Sequence, residues 1–394
     1  MNENKSYMIR TFFGVGQGAF YCETFEADSH KFQVIYDCGS FNKTQLRTEI
    51  EKLDSECFTV LFISHFHLDH INGIPYLLNK LKEGKLNIKR IYFPYLTPED
   101  RNLLVCYNKF LQQFEITTEN ENLENDKFVF DLIENPWSTI KKIITNPDKN
   151  IELRCIKPYR KIQKFNSSIL GITESNTHEV LKSGLIKLSK NFDWSFYAYN
   201  INKGFKKQLL KRMLRKSFGR RIKISDLNNM YCKSEADRKR IDSIFKVLGE
   251  LNTNSLLLFS ISNSVIASVD TDSKDKFMNH LKTNIGKRSG FLYMGDYSAK
   301  KYFAQVKQID YKLSFWNTFF GIQIPHHGSK NNFNKSLCKS DYCIISASQA
   351  KPFNHPDKII LDFLDDKSVL YEIVNNTSLQ LVFNDTKKNY ENYF

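Results

Sequence analysis

Apolar and polar positions along the chain fall into short blocks that read as alternating strands and helices. Met8 to Phe13 and Ala19 to Phe25 are rich in aromatic and β-branched residues and read as strands. Between them lies Gly14-Val15-Gly16-Gln17-Gly18, which either makes a hairpin turn or lets backbone approach a neighbour closely. Phe32 to Tyr36 is a further strand, ending in Asp37-Cys38-Gly39-Ser40, and Thr44 to Leu53 reads as a helix. Val60 to Ile63 is an apolar run of the kind found in buried strands, and it stops at Ser64. After Asn72-Gly73, the residues Ile74, Leu77, Leu78 and Leu81 recur at helical spacing, and Asn87 to Tyr95 is the next strand.

From Thr97 the pattern changes. Thr97-Pro98-Glu99-Asp100 is an N-terminal signal for a helix running to Phe114. Thr117 to Asp126 is acidic and reads as an exposed loop, and residues 127–200 mix short strands with polar linkers. Ser234 to Leu251 reads as a helix with Ile241, Ile244, Phe245 and Leu248 on one face. Strands resume with SLLLFSI and SVIASVD, which predict a hairpin around Ser262-Asn263. Asp275 to Ile285 reads as a helix. Gly290 to Met294 reads as a strand ending at Gly295-Asp296. Trp316 to Pro325 leads into His326-His327-Gly328-Ser329. The strand Asp341 to Ser346 precedes Phe353-Asn354-His355-Pro356-Asp357 and a helix to Leu364. Leu370 to Phe383 predicts a closing hairpin.

At 394 residues the chain can bury a large core as one domain or two, and 41% hydrophobic residues fit a folded protein. No apolar run is long enough to span a membrane. The longest, Leu256 to Val269, is broken by Ser260, Ser262, Asn263 and Ser264. The N-terminus lacks an apolar signal core. The 8 cysteines form no CxxC pair and read as reduced thiols of a cytoplasmic protein. Lys-, Asn- and Ile-rich usage points to an AT-rich bacterial genome. The net charge of +14 is consistent with a polyanionic partner.

Candidate chemistry concentrates after the Val60–Ile63 strand. His65, His67, Asp69 and His70 fall within six residues on a loop between strand and helix, in a chain with 9 histidines. His65 and His67, two apart on extended backbone, can face one side, whereas Asp69 and His70 diverge. That suits two neighbouring metal ions, with zinc, manganese or iron compatible with imidazole and carboxylate ligands. Asp37, at a strand end, either orients a metal-binding histidine or caps its turn. His178 is isolated in a polar stretch and reads as a surface residue or a further ligand. Lys203 to Lys223 is basic throughout, with Leu209, Leu210, Met213 and Leu214 as an apolar stripe. It reads as a nucleic-acid contact in which Phe205 and Phe218 pack or stack on bases, or as a helix docked on the core, a membrane surface or a partner.

The segment ISHFHLDHINGI resembles the H-x-H-x-D-H signature of the metallo-β-lactamase superfamily. GVGQGAF, IYDCGS, FLYMGD, QIPHHGSKNNF and SASQAKPFNHP, in that order, narrow the resemblance to the soluble domain of the ComEC/Rec2 competence proteins. Ala19 departs from the acidic residue that often follows GQG, and Ile74 stands where a second glycine is usual. The likeness covers residues 7–97 and 252–365. It implies an α/β fold, a four-layer αββα sandwich, with residues 1–97 and 252–394 as its two halves and 98–251 as a largely helical insertion.

Carried over residue by residue, the resemblance implies two divalent ions, zinc first and manganese second. His65 and His67 would hold one, and Asp69 and His70 the other. Asp296 would bridge them, in preference to Asp270 or Asp272, and His326 and His355 would fill remaining positions. His327 would touch substrate or protonate the leaving group, and Asp69 would also position or deprotonate the water. No residue matches the histidine that many superfamily members carry between the first motif and the bridging aspartate; His178 and His280 are the candidates. The implied activity is a metal-dependent phosphodiesterase or nuclease acting on DNA or RNA. The alternatives are hydrolysis of a small ester, lactone, thioester or nucleotide, and a binding or regulatory subunit of a bacterial antiviral defence assembly that contacts protein partners through the insertion.

Overall fold

The structure is a computed structural model. It describes residues 6–27, 30–114, 123–143, 151–158, 178–186, 188, 194–201, 206–249, 255–262, 266–271, 289–313, 316, 318–340, 342–349 and 353–385. The chain begins with β1 (Ser6–Phe12), β2 (Gly18–Ala27) and β3 (His30–Ser40), then α1 (Lys43–Ile50) and β4 (Phe58–Phe62). The short helix α2 (Leu68–Ile71), α3 (Ile74–Lys82) and β5 (Asn87–Pro94) follow. The middle of the chain supplies α4 (Pro98–Leu111), α5 (Leu123–Glu134), α6 (Pro136–Ile143), β6 (Glu152–Ile156), β7 (His178–Leu181), β8 (Gly184–Ile186) and β9 (Trp194–Ile201). Next come α7 (Lys207–Phe218), α8 (Leu227–Lys233) and α9 (Glu235–Leu248). The last part holds β10 (Ser255–Ser262), β11 (Ile266–Thr271), β12 (Gly290–Tyr293), α10 (Ala299–Leu313), β13 (Phe319–Gln323) and β14 (Tyr342–Ser346). It closes with α11 (Lys358–Asp366), β15 (Leu370–Val374) and β16 (Leu379–Asp385).

The strands form two sheets. One has the order β11-β16-β1-β2-β3-β4-β5-β6-β7, the other β15-β14-β13-β12-β10-β9-β8. Period-two alternation assigns each strand's two faces to different cores. On β10, Leu256 and Leu258 point between the sheets with Phe291 and Tyr293 of β12. Their neighbours Leu257, Phe259, Leu292 and Met294 pack outward against α10 and α11. Helices α1 and α3 to α9 cover the outer face of the first sheet. The layers are therefore helix, sheet, sheet, helix, as expected for the αββα class.

Between the sheets sits a buried ion pair. Arg10 Nε donates to Glu23 Oε1 at 2.7 Å, and both side chains are at most 1% exposed. The Tyr293 hydroxyl donates to the same Glu23 oxygen at 2.8 Å, and Ser260 Oγ donates to the other. The Arg10 guanidinium lies over the Phe291 and Phe383 rings at 4.8 and 4.9 Å, so one polar cluster joins both sheets.

Three expectations change. The SLLLFSI and SVIASVD segments do not form a hairpin: β10 lies in the second sheet and β11 pairs with β16 in the first. Likewise β15 pairs with β14 and β16 with β1, so the closing pair also passes from one sheet to the other. Alternating apolar residues identify a strand but not its partner. The range 98–251 is also more than an insertion, because β6 and β7 extend the first sheet and β8 and β9 the second. Residues 117–122, the segment Asp275 to Ile285, and Phe205 lie outside the described residues.

A candidate dinuclear metal centre

The parallel strands β3 and β4 of one sheet and β12, β13 and β14 of the other carry their C-terminal ends to one edge. Open α/β sheets characteristically bind ligands at that edge. The loop after β4 brings His65, His67, Asp69 and His70 there, and all four are buried. Asp296 follows β12, and His327 follows β13.

Two groups of ligand atoms result. One is His65, His67 and Asp296, the other Asp69, His70 and His327, with the ligand atoms of each group within 4.8 Å of one another. Asp296 faces both. Its Oδ2 lies 3.2 Å from His65 Nε2 and 3.6 Å from His67 Nδ1. Its Oδ1 lies 3.1 Å from His70 Nε2 and 3.9 Å from His327 Nε2. His327 Nε2 is also 3.1 Å from Asp69 Oδ2.

The surrounding hydrogen bonds fix which nitrogen is bare. His70 Nδ1 faces Asp37 Oδ2 at 2.8 Å. Ser64 Oγ donates to the same Asp37 oxygen at 2.6 Å and lies 2.8 Å from His65 Nδ1. Protons on both Nδ1 atoms satisfy this chain, so the Nε2 atoms, which face Asp296, are the ones each ring can offer to a cation once His70 gives up its second proton. His327 Nδ1 likewise donates to the Ser346 carbonyl at 2.7 Å, leaving Nε2 for the site.

His65 Nε2, His67 Nε2, His70 Nε2 and Asp296 Oδ1 are buried without a hydrogen-bond partner. Each such atom costs about 1–3 kcal/mol if nothing meets it. Four converging at one place, from imidazole and carboxylate donors, fit divalent cations.

Charge follows the same geometry. Burial and the neighbouring His70 push the His65 imidazole down to about 4. Burial would lower His70 too, but Asp296, Asp37 and Asp69 hold it well above its usual value. Burial opposes ionisation of Asp69 and Asp296. Histidines override it, holding Asp69 down at about 2 and Asp296 well below the ordinary carboxylate range.

Backbone packing places the loop. A Cβ on Gly39 would lie 2.5 Å from the His70 backbone nitrogen, so the Asp37-Cys38-Gly39 turn lets α2 sit directly on β3. Asn72 clamps the same junction, its side chain bonding both the Ser40 amide and the Ser40 carbonyl at 2.9 and 2.6 Å. From α4, Asn108 accepts from the Leu68 amide at 2.9 Å and donates to the Phe66 carbonyl at 2.6 Å. The Tyr107 ring lies 5.4 Å from that of His67.

Two histidines stand differently from expectation. Neither His326 nor His355, expected to fill remaining ligand positions, joins a ligand group among the described residues, and His327, expected to touch substrate or protonate the leaving group, stands with Asp69 and His70. The backbone explains the exchange. His326 and His327 both adopt positive φ, at 49° and 52°, so the two side chains diverge, and the Ser346 carbonyl captures His327. His326 Nδ1 instead meets the Asn332 amide at 2.9 Å, and its ring lies 5.9 Å from His355. Burial, with His327 and His326 nearby, pushes His355 down to about 4.

His178 opens β7, but its side chain is outside the described set, as are those of Asp270, Asp272 and His280. Asn108, Tyr107 and Asn332 are positioning residues that no local signal marks.

An αββα sandwich with paired His/Asp ligand groups at its strand-end edge defines the metallo-β-lactamase fold, and this chain has it. The Metallo-beta-lactamase superfamily model matches residues 24–134, the span that includes His65 to His70, which supports a place in that superfamily of hydrolases. No curated protein matches the sequence. Among solved structures the chain is similar to the metallo-beta-lactamase fold protein YhfI from Bacillus subtilis, at 8% identity and TM-score 0.39, covering 95% of this chain and 98% of that one. It is also similar to unliganded yeast PDE1, at 10% identity and TM-score 0.36, covering 96% and 99%. A long form RNase Z from yeast matches at 10% identity and TM-score 0.32, covering 81% of this chain and 32% of that one. No helix among the described residues is long and apolar enough to cross a membrane.

Proposed function

We propose that this protein is a metal-dependent phosphodiesterase, with DNA or RNA as its substrate and two divalent ions, zinc first, held at the edge of the sandwich. The observation that carries the reading is Asp296, which offers one oxygen to His65 and His67 and the other to His70 and His327. His65 and His67 would hold one ion, Asp69, His70 and His327 the other, with Asp296 shared. When bound, such a pair supplies a nucleophile at neutral pH and stabilises charge on both the attacking and departing oxygens of a phosphodiester.

The chain's own residues account for the rest. Asp37 and Ser64 hold the His65 and His70 rings with Nε2 towards the site. Asp69, kept ionised by His70 and His327, can orient the attacking water as well as ligate. His326 accepts from Asn332 at Nδ1, so its proton sits on Nε2, the tautomer that can donate to a leaving oxygen. His355, held neutral, completes the polar wall beside it. The motifs shared with ComEC/Rec2 proteins and the net charge of +14 support a polyanionic substrate.

The test is metal analysis of the purified protein, followed by cleavage assays on bis(p-nitrophenyl) phosphate, single-stranded DNA, duplex DNA and RNA. Asp69→Ala and His67→Ala should each abolish cleavage with the fold intact. Full activity in either variant, or in the presence of a chelator, overturns the assignment. Hydrolysis of esters, lactones or thioesters without any phosphodiester cleavage overturns the substrate class.

A further inference from the structure

Helix α7 carries a dense run of cations, and its apolar face is already used. Leu210 and Leu214 are fully buried in the layer over the first sheet, and Met213 and Phe218 pack partly against it. Phe218 also lies under Arg240, whose guanidinium is 5.5 Å from the ring centre, so it is not free to stack on a base. Two cations are committed as well. Lys207 pairs with Glu99 and Asp100 at 3.0 and 2.5 Å, and Lys211 reaches Glu99 at 3.4 Å. Those contacts fasten α7 to the start of α4.

What remains is a cationic surface. Arg212, Arg215, Lys216, Arg220, Arg221 and Lys223 line it, and all six are exposed. Among the described residues none of these six pairs with a carboxylate. Nothing in the fold consumes this charge.

We propose that this face is an exosite that grips the phosphate backbone of a polynucleotide while its scissile bond lies at the metal centre. The inference rests on the phosphodiester reading above and adds where the polymer is held. Three observations favour this occupant. Four of the six cations between 212 and 223 are arginines, whose forked guanidinium matches phosphate oxygens. A membrane surface would need a free apolar stripe beside the charges, and of this helix's apolar residues only Leu209, 49% exposed, stands clear. Position agrees as well. Helix α4 carries both Asp100, where Lys207 of α7 is fastened, and Tyr107, whose ring lies 5.4 Å from that of His67. Lys206 Nζ, at the start of α7, donates to the Leu248 carbonyl, and the Tyr107 hydroxyl donates to the next carbonyl, Gly249, so α7 starts beside the residue whose ring faces His67. From Lys207 the helix rises about 8 Å to Arg212 and about 12 Å to Arg215, roughly two to four nucleotide steps along a strand. A polynucleotide can therefore reach from one site to the other.

The test uses the full chain in chelator, which keeps the oligonucleotide uncut. A fluorescent 20-nucleotide single strand is titrated by anisotropy over a range of salt. About five phosphate contacts predict that log affinity falls against log salt with a slope of about −3.5. Arg212→Glu, Arg215→Glu, Arg220→Glu and Arg221→Glu combined should weaken binding at least tenfold, flatten the slope by about 3, and cut polymer cleavage in the metal-loaded enzyme. Hydrolysis of bis(p-nitrophenyl) phosphate should stay unchanged, which also reports that the variant is folded. The milder set with Gln at the same four positions should fall between. Unchanged oligonucleotide binding overturns the proposal. So does an equal loss in the charge-matched variant Lys141→Glu, Lys142→Glu, Lys339→Glu, Lys367→Glu, or binding to phosphatidylserine vesicles without binding to the oligonucleotide. If the parent fails to hydrolyse bis(p-nitrophenyl) phosphate, the phosphodiester reading fails, while the anisotropy arm still decides the exosite.

Discussion

Asp37 Oδ2 accepts from His70 Nδ1 at 2.8 Å, and this bond turns a residue at the end of one strand into the orienting group for a ligand on the next loop. Asp37 sits at φ 57°, a conformation that asparagine tolerates better than most residues. Asp37→Asn should therefore preserve the turn and remove only the charged acceptor shared by His70 and Ser64. Metal affinity should fall about 10–100-fold, the usual effect of losing such a partner. Competition titration with a chromophoric chelator reads this directly. Unchanged affinity would mean that the Asp37 bond does not govern the ring.

The same environment predicts a proton count. In the metal-free chain His70 lies between Asp37 and Asp296, at 2.8 and 3.1 Å, and holds its proton well above the usual imidazole range. His65, pushed down to about 4, is already neutral at pH 7. A cation entering beside His70 must displace one proton; one entering beside His65 need displace none from that ring. Loading both positions at pH 7 should release about one proton per chain from this pair. Apparent affinity at the His70 position should rise about tenfold per pH unit until His70 deprotonates. Calorimetry in buffers of differing ionisation enthalpy measures the number, and zero release would contradict the His70 assignment.

Away from the edge, Glu23 accepts from Arg10, Tyr293 and Ser260 in the space between the sheets. Removing its charge strands a buried guanidinium, and breaking such a pair costs about 3–5 kcal/mol. Glu23→Gln should lower urea-unfolding stability by that amount, leaving activity per folded molecule intact. The double variant Glu23→Gln, Arg10→Met should recover part of the loss, since the stranded charge goes with it. A loss below about 1 kcal/mol in the single variant would mean that the pair is hydrated.

How much of this is legible in the sequence depends on range. His65 to His70 announce themselves because six residues at a strand end carry four potential ligands. Asp37 is readable for the same local reason, as a carboxylate at a strand end before a glycine. Asp296 and His327 lie more than two hundred residues away, and only the family resemblance draws attention to them. The choice between His326 and His327 rests on two consecutive residues of positive φ and one carbonyl, Ser346, which no spacing rule contains. Asn108 and Tyr107 act from α4, whose helical pattern advertises its apolar residues and hides the polar one. The two misread hairpins have a similar cause. Strand β10 is buried on both faces, and along β15 and β16 the alternation marks a strand without naming the sheet it joins.

Gly39 and Gly84 separate two reasons for which glycine is used. Gly84 has φ +74° and nothing within 4 Å of the place a Cβ would occupy, so Gly84→Ala meets only backbone strain, about 1–2 kcal/mol. Gly39 is the reverse. It is not among the positive-φ residues, yet an added Cβ would lie 2.5 Å from both N and C of His70 and 2.6 Å from the Asp69 carbonyl carbon. Those are backbone atoms that no rotamer change can move aside. Gly39→Ala must push α2 off β3, and the displacement falls on Asp69 and His70 together. Overpacking of this kind costs about 1–3 kcal/mol in stability. Its larger effect should be on the site, because a ligand displaced by even about half an ångström leaves productive geometry. Gly39→Ala should thus lose metal binding and activity out of proportion to its stability loss, whereas Gly84→Ala should keep both. Melting temperature with and without added zinc distinguishes them. The parent and Gly84→Ala should be stabilised by the metal, and Gly39→Ala should not. Equal stabilisation of all three would show that the strand-end turn and the metal loop move independently.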